Sequence, residues 1–269
     1  MTIMDIDHGT LPPDTRIYRY LSIDGFDRFR KRGVGLTRIS TWPDRFEASD
    51  FAFFANAKRL HDPRSKASFF ASCWTLEREE PSLFDCHDSY KRAQEELERD
   101  GSGSMWEAYC GQGGVRICTT LGKLDQAFLK RLSKAKNIYR GRVRYLAADD
   151  PRRVLSKNQL EEVLFYKRIG YRHETEYRYV LHNSEVQSDY ITAPIDDYYS
   201  FLDEVLVFPL KNGRTDEIAN ELHGRGVSIA SGPTIGTNTK GPRRFCRVSQ
   251  LYGLASETIG EVRFLSRDK

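Results

Sequence analysis

The stretch His173-Glu174-Thr175-Glu176-Tyr177-Arg178-Tyr179-Val180 has residue types and spacing suited to acid/base chemistry. It alternates with the period of a β-strand, in which side chains two apart share a face. Read as a strand, it points Glu174, Glu176 and Arg178 one way and Thr175, Tyr177 and Tyr179 the other. Two carboxylates on one face repel each other and gain nothing from burial in a core. A catalytic cleft can use them, because a raised carboxyl pKa beside a cation serves proton transfer. The same pattern also fits an exposed edge strand with a Glu–Arg ladder.

Other chemistry-bearing groups are sparser. Arg16 and Arg19 on an early strand have the forked guanidinium that grips phosphate, and surface ion pairing is the commoner fate of such residues. Trp106 follows the flexible Gly101-Ser102-Gly103-Ser104 link, with Glu107 and Tyr109 beside it. Tryptophans are more often packing anchors than ligand platforms. Gly111-Gln112-Gly113-Gly114 lacks the Lys-Ser/Thr of a phosphate-binding loop. No Gly-x-Ser-x-Gly elbow supports a serine nucleophile. Cys86-His87 is an isolated pair, and no Cys-x-x-Cys supports a zinc site. Cys73 and Cys118 sit in apolar runs and read as small core residues.

The elements that position these groups follow from periodicity and punctuation. Strands are expected at 16–22, 34–40, 68–75, 113–118, 138–146, 173–180, 203–208 and 226–230. Helices are expected at 23–33, 50–62, 86–100, 121–135, 158–169 and 214–224, with a helical turn at 106–110. Asp24 is a candidate N-cap, and Gly33 closes its helix. Residues 1–15 contain Pro12-Pro13 and read as a loose arm. The part from 231 to 269 is a basic extension with late strands near 243–248 and 261–265. No interdomain linker is visible. The expected fold is therefore a single α+β domain over 16–230, a mostly antiparallel split sheet with flanking helices.

Composition sets outer bounds. The chain has 269 residues, 30% charged and 12% aromatic, with 42 basic against 38 acidic side chains. Its net charge of +4 permits contact with nucleic acid without arguing for it. No apolar run approaches a membrane span, and the N-terminus lacks the pattern of a signal peptide. Five unpaired-looking cysteines fit a cytoplasmic protein with reduced thiols.

The order of several segments resembles a bacterial family, domain of unknown function 2971. The segments are Tyr18-Arg19-Tyr20, Asp44-Arg45-Phe46-Glu47, Ser72, Met105-Trp106-Glu107-Ala108-Tyr109, Gly114-Val115, Glu174 to Arg178 and Glu204 to Phe208. Arg45 stands where that family usually has proline, and Ala108 where it usually has histidine. More distantly, the layout resembles the ADP-ribosyltransferases, which cleave NAD at the nicotinamide–ribose bond. That resemblance implies an Arg–Ser–Glu order carried by Arg19, Ser72, Glu174 and Glu176. It implies that Glu176 stabilises the ribosyl cation and Glu174 orients or deprotonates the acceptor. It further implies that Arg19 holds the pyrophosphate, that Trp106 or Tyr109 stacks on a ring, and that Tyr20 and Arg178 line the NAD site. NAD is then a substrate, no metal is required, and the acceptor is an unknown protein or nucleic acid. A bacterial effector or toxin, with a role in anti-phage defence, is the implied setting.

Two alternatives stay open. Asp44, Glu47, Glu174 and Glu176 are a possible Mg²⁺ cage for a nuclease-like toxin. A non-catalytic module would bind a nucleotide or partner through the same cleft, or through the basic tail Lys240-Gly-Pro-Arg-Arg-Phe-Cys-Arg247.

Overall fold

The computed structural model describes residues 2–6, 11–42, 68–78, 81–111, 113–131, 137–147, 160–208 and 246–248. The strands are β1 (Thr2–Asp5), β2 (Arg16–Ser22), β3 (Val34–Arg38), β4 (Phe69–Thr75), β5 (Gly114–Thr120) and β6 (Asn137–Arg142). They continue with β7 (Arg144–Leu146), β8 (Tyr166–Arg168), β9 (Glu176–His182), β10 (Tyr190–Ala193), β11 (Glu204–Val207) and β12 (Cys246–Val248). The helices are α1 (Ile23–Arg32), α2 (His87–Asp100), α3 (Gly103–Cys110), α4 (Leu121–Arg131) and the short α5 (Tyr198–Phe201). The class is mixed α/β with a mostly antiparallel sheet, as expected from the sequence.

Where the sequence suggests one domain over 16–230, the chain divides into two compact units. The first holds Met1–Ile17, Arg28–Leu76 and Thr120–Phe201; the second holds Tyr18–Asp27, Glu77–Thr119 and Leu202–Lys269. The units interleave along the chain, so no linker in the sequence separates them.

In the first unit β9 is a central strand. It pairs antiparallel with β4 on one side and β6 on the other, Cys73 lying opposite Arg178 and Gly141 opposite Arg178 from the other side. The register puts Glu176, Arg178 and Val180 on one sheet face and Tyr177, Tyr179 and Leu181 on the other. The first face is covered by a core of Ile39, Phe69, Ala71, Tyr139, Val163, Leu164, Phe165 and Val180. Among them each buried Val, Leu, Ile or Phe contributes roughly 1.5–3 kcal/mol. On the second face Phe128 of α4 packs against Tyr179 with ring centroids 5.0 Å apart.

The N-terminal residues are not a loose arm. Thr2–Asp5 form β1, which pairs parallel with β6. Arg140 of β6 donates through Nε to Asp5 Oδ1 at 2.6 Å and through Nη1 to Asp125 of α4. The polar composition of 1–15 concealed this because the pairing energy comes from a distant strand edge. The 158–169 helix is also corrected: the chain there makes a 3-10 turn over Leu160–Phe165 and then strand β8, parallel to β7.

In the second unit β5 pairs antiparallel with β11, and β12 adds parallel to β11. Within the expected basic extension, β12 is the described part. The other expected elements at 50–62, 214–224, 226–230 and 261–265 lie outside the described residues. Tyr20, Met105, Trp106, Cys110, Leu206 and Phe208 form this unit's core. Helix α2 stops at Gly101, whose φ of +80° suits glycine. A Cβ there would lie 2.7 Å from the Tyr20 hydroxyl and 2.9 Å from Trp106 Nε1.

No helix among the described residues is long and apolar enough to cross a membrane.

Candidate functional site

The Glu-x-Glu segment is not one continuous strand. A 3-10 turn runs over Ile169–Glu174, and Thr175 then adopts a left-handed conformation, φ 39° and ψ 47°. A β-branched residue is strained there. Three bonds hold it: Thr175 N–H to the Arg172 carbonyl at 3.2 Å, Leu76 N–H to the Thr175 carbonyl at 3.0 Å, and a 3.0 Å contact between the Thr75 and Thr175 hydroxyls. Strand β9 begins at Glu176. Glu174 therefore precedes the strand instead of sharing its face, which corrects the expected alternation. The turn nevertheless brings the two carboxylates back together.

Lys167 of β8 joins them. Its Nζ donates to Glu174 Oε2 at 2.7 Å and to Glu176 Oε2 at 3.5 Å, and it lies 4.8 Å above the Tyr171 ring. Arg178 grips Glu176 along the strand, Nε to Oε1 at 2.7 Å and Nη2 to Oε2 at 2.9 Å. Its remaining nitrogen, Nη1, donates to the Leu164 carbonyl, and the guanidinium sits 4.7 Å over the Trp42 ring. The Glu176 backbone N–H donates to the Tyr145 hydroxyl at 2.8 Å. Exposure is 4% for Glu176, 6% for Glu174, 8% for Lys167 and zero for Arg178.

Two carboxylates and two cations are thus buried together with balanced charge. Burial alone would raise the Glu176 pKa. The Arg178 charge and hydrogen bonds, followed by Lys167 and the Cys73 thiol, override it and hold the carboxyl well below its usual range. Burial raises the Tyr145 hydroxyl, and the Glu176 charge raises it further. The cluster holds a buried carboxylate that stays ionised at neutral pH because cations flank it. Such a group can stabilise a developing cation and is a poor proton acceptor.

The other expected site residues scatter. Ser72 faces the opposite side of β4 from Cys73 and Thr75, is fully buried, and accepts a 3.1 Å bond from Trp74 Nε1. It therefore does not join Glu176, because alternation along β4 sends the two to different faces. Arg178 is the partner of Glu176, not an open ligand clamp. Trp106 is fully buried: Nε1 donates to the Asp100 carbonyl at 2.9 Å, Phe208 stacks on it at 5.0 Å and Tyr20 meets it edge-on at 4.7 Å. No face of that ring is left for a substrate. Tyr109 lies on the outer side of α3 with 45% exposure. Arg19 is half-buried on β2 and, with Tyr20, Trp106 and Tyr109, belongs to the second unit. Ser72, Glu174, Glu176 and Arg178 belong to the first. Asp44 and Glu47 of the Mg²⁺ reading lie outside the described residues, and between Glu174 and Glu176 the cation present is Lys167.

The second unit holds another buried polar cluster. Glu77 follows β4, has a left-handed φ of 46°, and is 2% exposed. Its Oε1 accepts from the Tyr20 hydroxyl and its Oε2 from Arg116 Nη1 at 2.5 Å. Arg116, fully buried on β5, also reaches Glu204 Oε1 at 3.0 Å and the Leu97 and Glu98 carbonyls at 2.9 and 2.6 Å. Burial pushes the Glu77 carboxyl up to about 7, Glu204 adds to the rise, and Arg116 and Tyr20 pull against it. Tyr20 is therefore a core hydrogen-bond partner here.

Sequence reasoning missed Lys167, Glu77 and Arg116. Lys167 was hidden by the expected helix. Arg116 carried a signal, a lone arginine in the apolar run Val115-Arg116-Ile117-Cys118. A charge inside such a strand needs a buried partner.

No family model, curated protein or solved structure matches this chain.

Proposed function

We propose that the protein is an ADP-ribosyltransferase-like enzyme that cleaves NAD at the nicotinamide–ribose bond. The observation that carries this reading is the ionised Glu176, held by Arg178 and Lys167 with Glu174 beside it. Breaking the glycosidic bond leaves positive charge on the ribose, and a carboxylate that stays ionised lowers the energy of that state. In this reading Glu174, one turn away, is the group nearest an acceptor. Lys167 keeps the two carboxylates from repelling each other. The acceptor class is a protein or nucleic acid.

The test is nicotinamide release from NAD by purified protein, with and without cell lysate, beside Glu176→Gln. Circular dichroism and unfolding curves establish that the variant is folded. Release that requires Glu176 supports the reading, and dependence on lysate shows that an acceptor is required. A folded wild-type protein that releases no nicotinamide in either condition overturns it.

A second reading has its own observation. Glu176 and Arg178 are closed off from solvent in a satisfied ion-pair network, as structural charge clusters are. In that case the protein is a non-catalytic nucleotide- or partner-binding module. It would bind without turnover, and Glu176→Gln would change stability and leave ligand affinity unaltered.

A further inference from the structure

We propose that Glu77, Tyr20 and Arg116 form a protonation-controlled clasp that sets how tightly α2 and α3 are held in the second unit. Each Glu77 oxygen already accepts a hydrogen bond, Oε1 from Tyr20 and Oε2 from Arg116. This geometry suits a carboxylate. The surroundings oppose it: the group is almost fully buried, and Glu204 of β11 shares the same guanidinium. A proton on Oε2 sets an O–H against Arg116, which cannot accept and must move, and a proton on Oε1 makes the Tyr20 hydroxyl turn round from donor to acceptor.

The two donors are also the groups that fasten the helices. Arg116 binds the Leu97 and Glu98 carbonyls in the last turn of α2. The Tyr20 hydroxyl accepts the Ser102 N–H at 2.7 Å, at the N-cap of α3. Gln94 of α2 donates to the Glu77 carbonyl at 2.9 Å. A proton on Glu77 therefore reaches α2 through Arg116 or α3 through Tyr20. The charged and titratable groups facing the clasp are Tyr20 and Tyr18 of β2, the Tyr18 ring lying 4.7 Å from the Arg116 guanidinium, Arg116 of β5 and Glu204 of β11. Arg99 and Asp100 at the end of α2 pair with each other at 2.7 Å. The left-handed backbone at Glu77 is a conformation that persists where the surroundings over-determine it. Burial brings the titration of Glu77 close to neutral pH, where cellular pH changes act.

The experiment follows the Trp106 indole N–H and the Ser102 amide by ¹H–¹⁵N NMR of the full chain from pH 5.5 to 8.5. Both resonances are expected to shift together in a one-proton step, and Glu77→Gln is expected to abolish the step. Glu204→Gln removes a like charge and is expected to lower the midpoint by about one unit. The proposal is overturned if the wild type shows no common step, or if Glu77→Gln retains it. Should Glu77→Gln fail to fold, an unchanged midpoint in folded Glu204→Gln overturns it as well.

Discussion

Arg178 binds the carboxylate of Glu176 two residues back on the same face of β9, with Nε–Oε1 of 2.7 Å and Nη2–Oε2 of 2.9 Å. The guanidinium is held in that place by its third nitrogen on the Leu164 carbonyl and by the Trp42 ring. The ladder suggested by the sequence exists, and it lies in the middle of the first unit's sheet instead of at an exposed edge.

That placement predicts an asymmetric response to mutation. Arg178→Met leaves Glu176 and Glu174 sharing Lys167 as the remaining cation of the cluster. Removing one member of a buried pair typically costs about 3–5 kcal/mol. The double variant Arg178→Met/Glu176→Leu removes the stranded charge and is expected to recover at least half of that loss. Urea unfolding of the two variants checks it, and a double variant no more stable than Arg178→Met would contradict the pairing.

The depressed Glu176 pKa fixes the sign of an acid response. Its folded pKa lies below the ordinary 4.5, so its contribution is fully present above 4.5 and is lost as pH falls through the lower folded value. Unfolding free energy measured from pH 6 down to pH 2.5 is expected to drop steeply below about 4.5 in the wild type. Glu176→Gln is expected to start less stable and to show a flatter acid limb. Parallel acid limbs for the two proteins would mean that Glu176 is not held ionised.

Trp106 and Tyr109 separate packing from surface exposure. Trp106→Ala removes a buried ring in contact with Tyr20 and Phe208 and is expected to cost about 3–5 kcal/mol. Tyr109→Ala, on the exposed side of the same helix, is expected to stay within about 0.5 kcal/mol of wild type. If Tyr109 stacks on a substrate ring, its variant raises KM for NAD while the unfolding midpoint stays put. Thermal unfolding and steady-state kinetics on the two variants distinguish these roles.

Local pattern carried the elements whose signals are local. Residues 16–22 read as a strand and form β2, and the charged segment 86–100 becomes α2 over His87–Asp100. Gly33 ends α1 with φ +89°, as its position implied. Ser22 takes the expected capping role of Asp24, its Oγ accepting from Gly25 N–H at 3.2 Å. The sequence could not show the left-handed turn at Thr175, because β-branched residues favour strands and the turn is imposed by Thr75 at the end of β4 and by Leu76 just after it. Nor could it bring Lys167 to Glu174 and Glu176, or Glu77 to Arg116. The first meeting depends on the 3-10 turn that folds the chain back between Lys167 and Glu176, and the second joins residues 39 apart in sequence. Ser72 shows the converse limit: it lies on a strand as expected, and the register of β4 turns it to the face away from Glu176.

Glu77 gives a pH response of the opposite sign to Glu176. Its folded pKa of about 7 lies above the ordinary 4.5, so the folded state holds the proton more tightly than the unfolded chain. The stabilisation from that bound proton is fully present below 4.5 and is lost as pH rises through 7. Over that window the Glu77 contribution falls by on the order of 3 kcal/mol, since one pKa unit corresponds to about 1.4 kcal/mol. Glu77→Gln removes the titration and keeps an acceptor for Tyr20, so the variant is expected to lose less stability than the wild type between pH 5 and 8. Comparing the two proteins by urea unfolding at half-unit steps cancels the histidines and other shared groups. If the difference between the two curves stays constant across the window, Glu77 is ionised throughout, and the Arg116 and Tyr20 hydrogen bonds outweigh its burial.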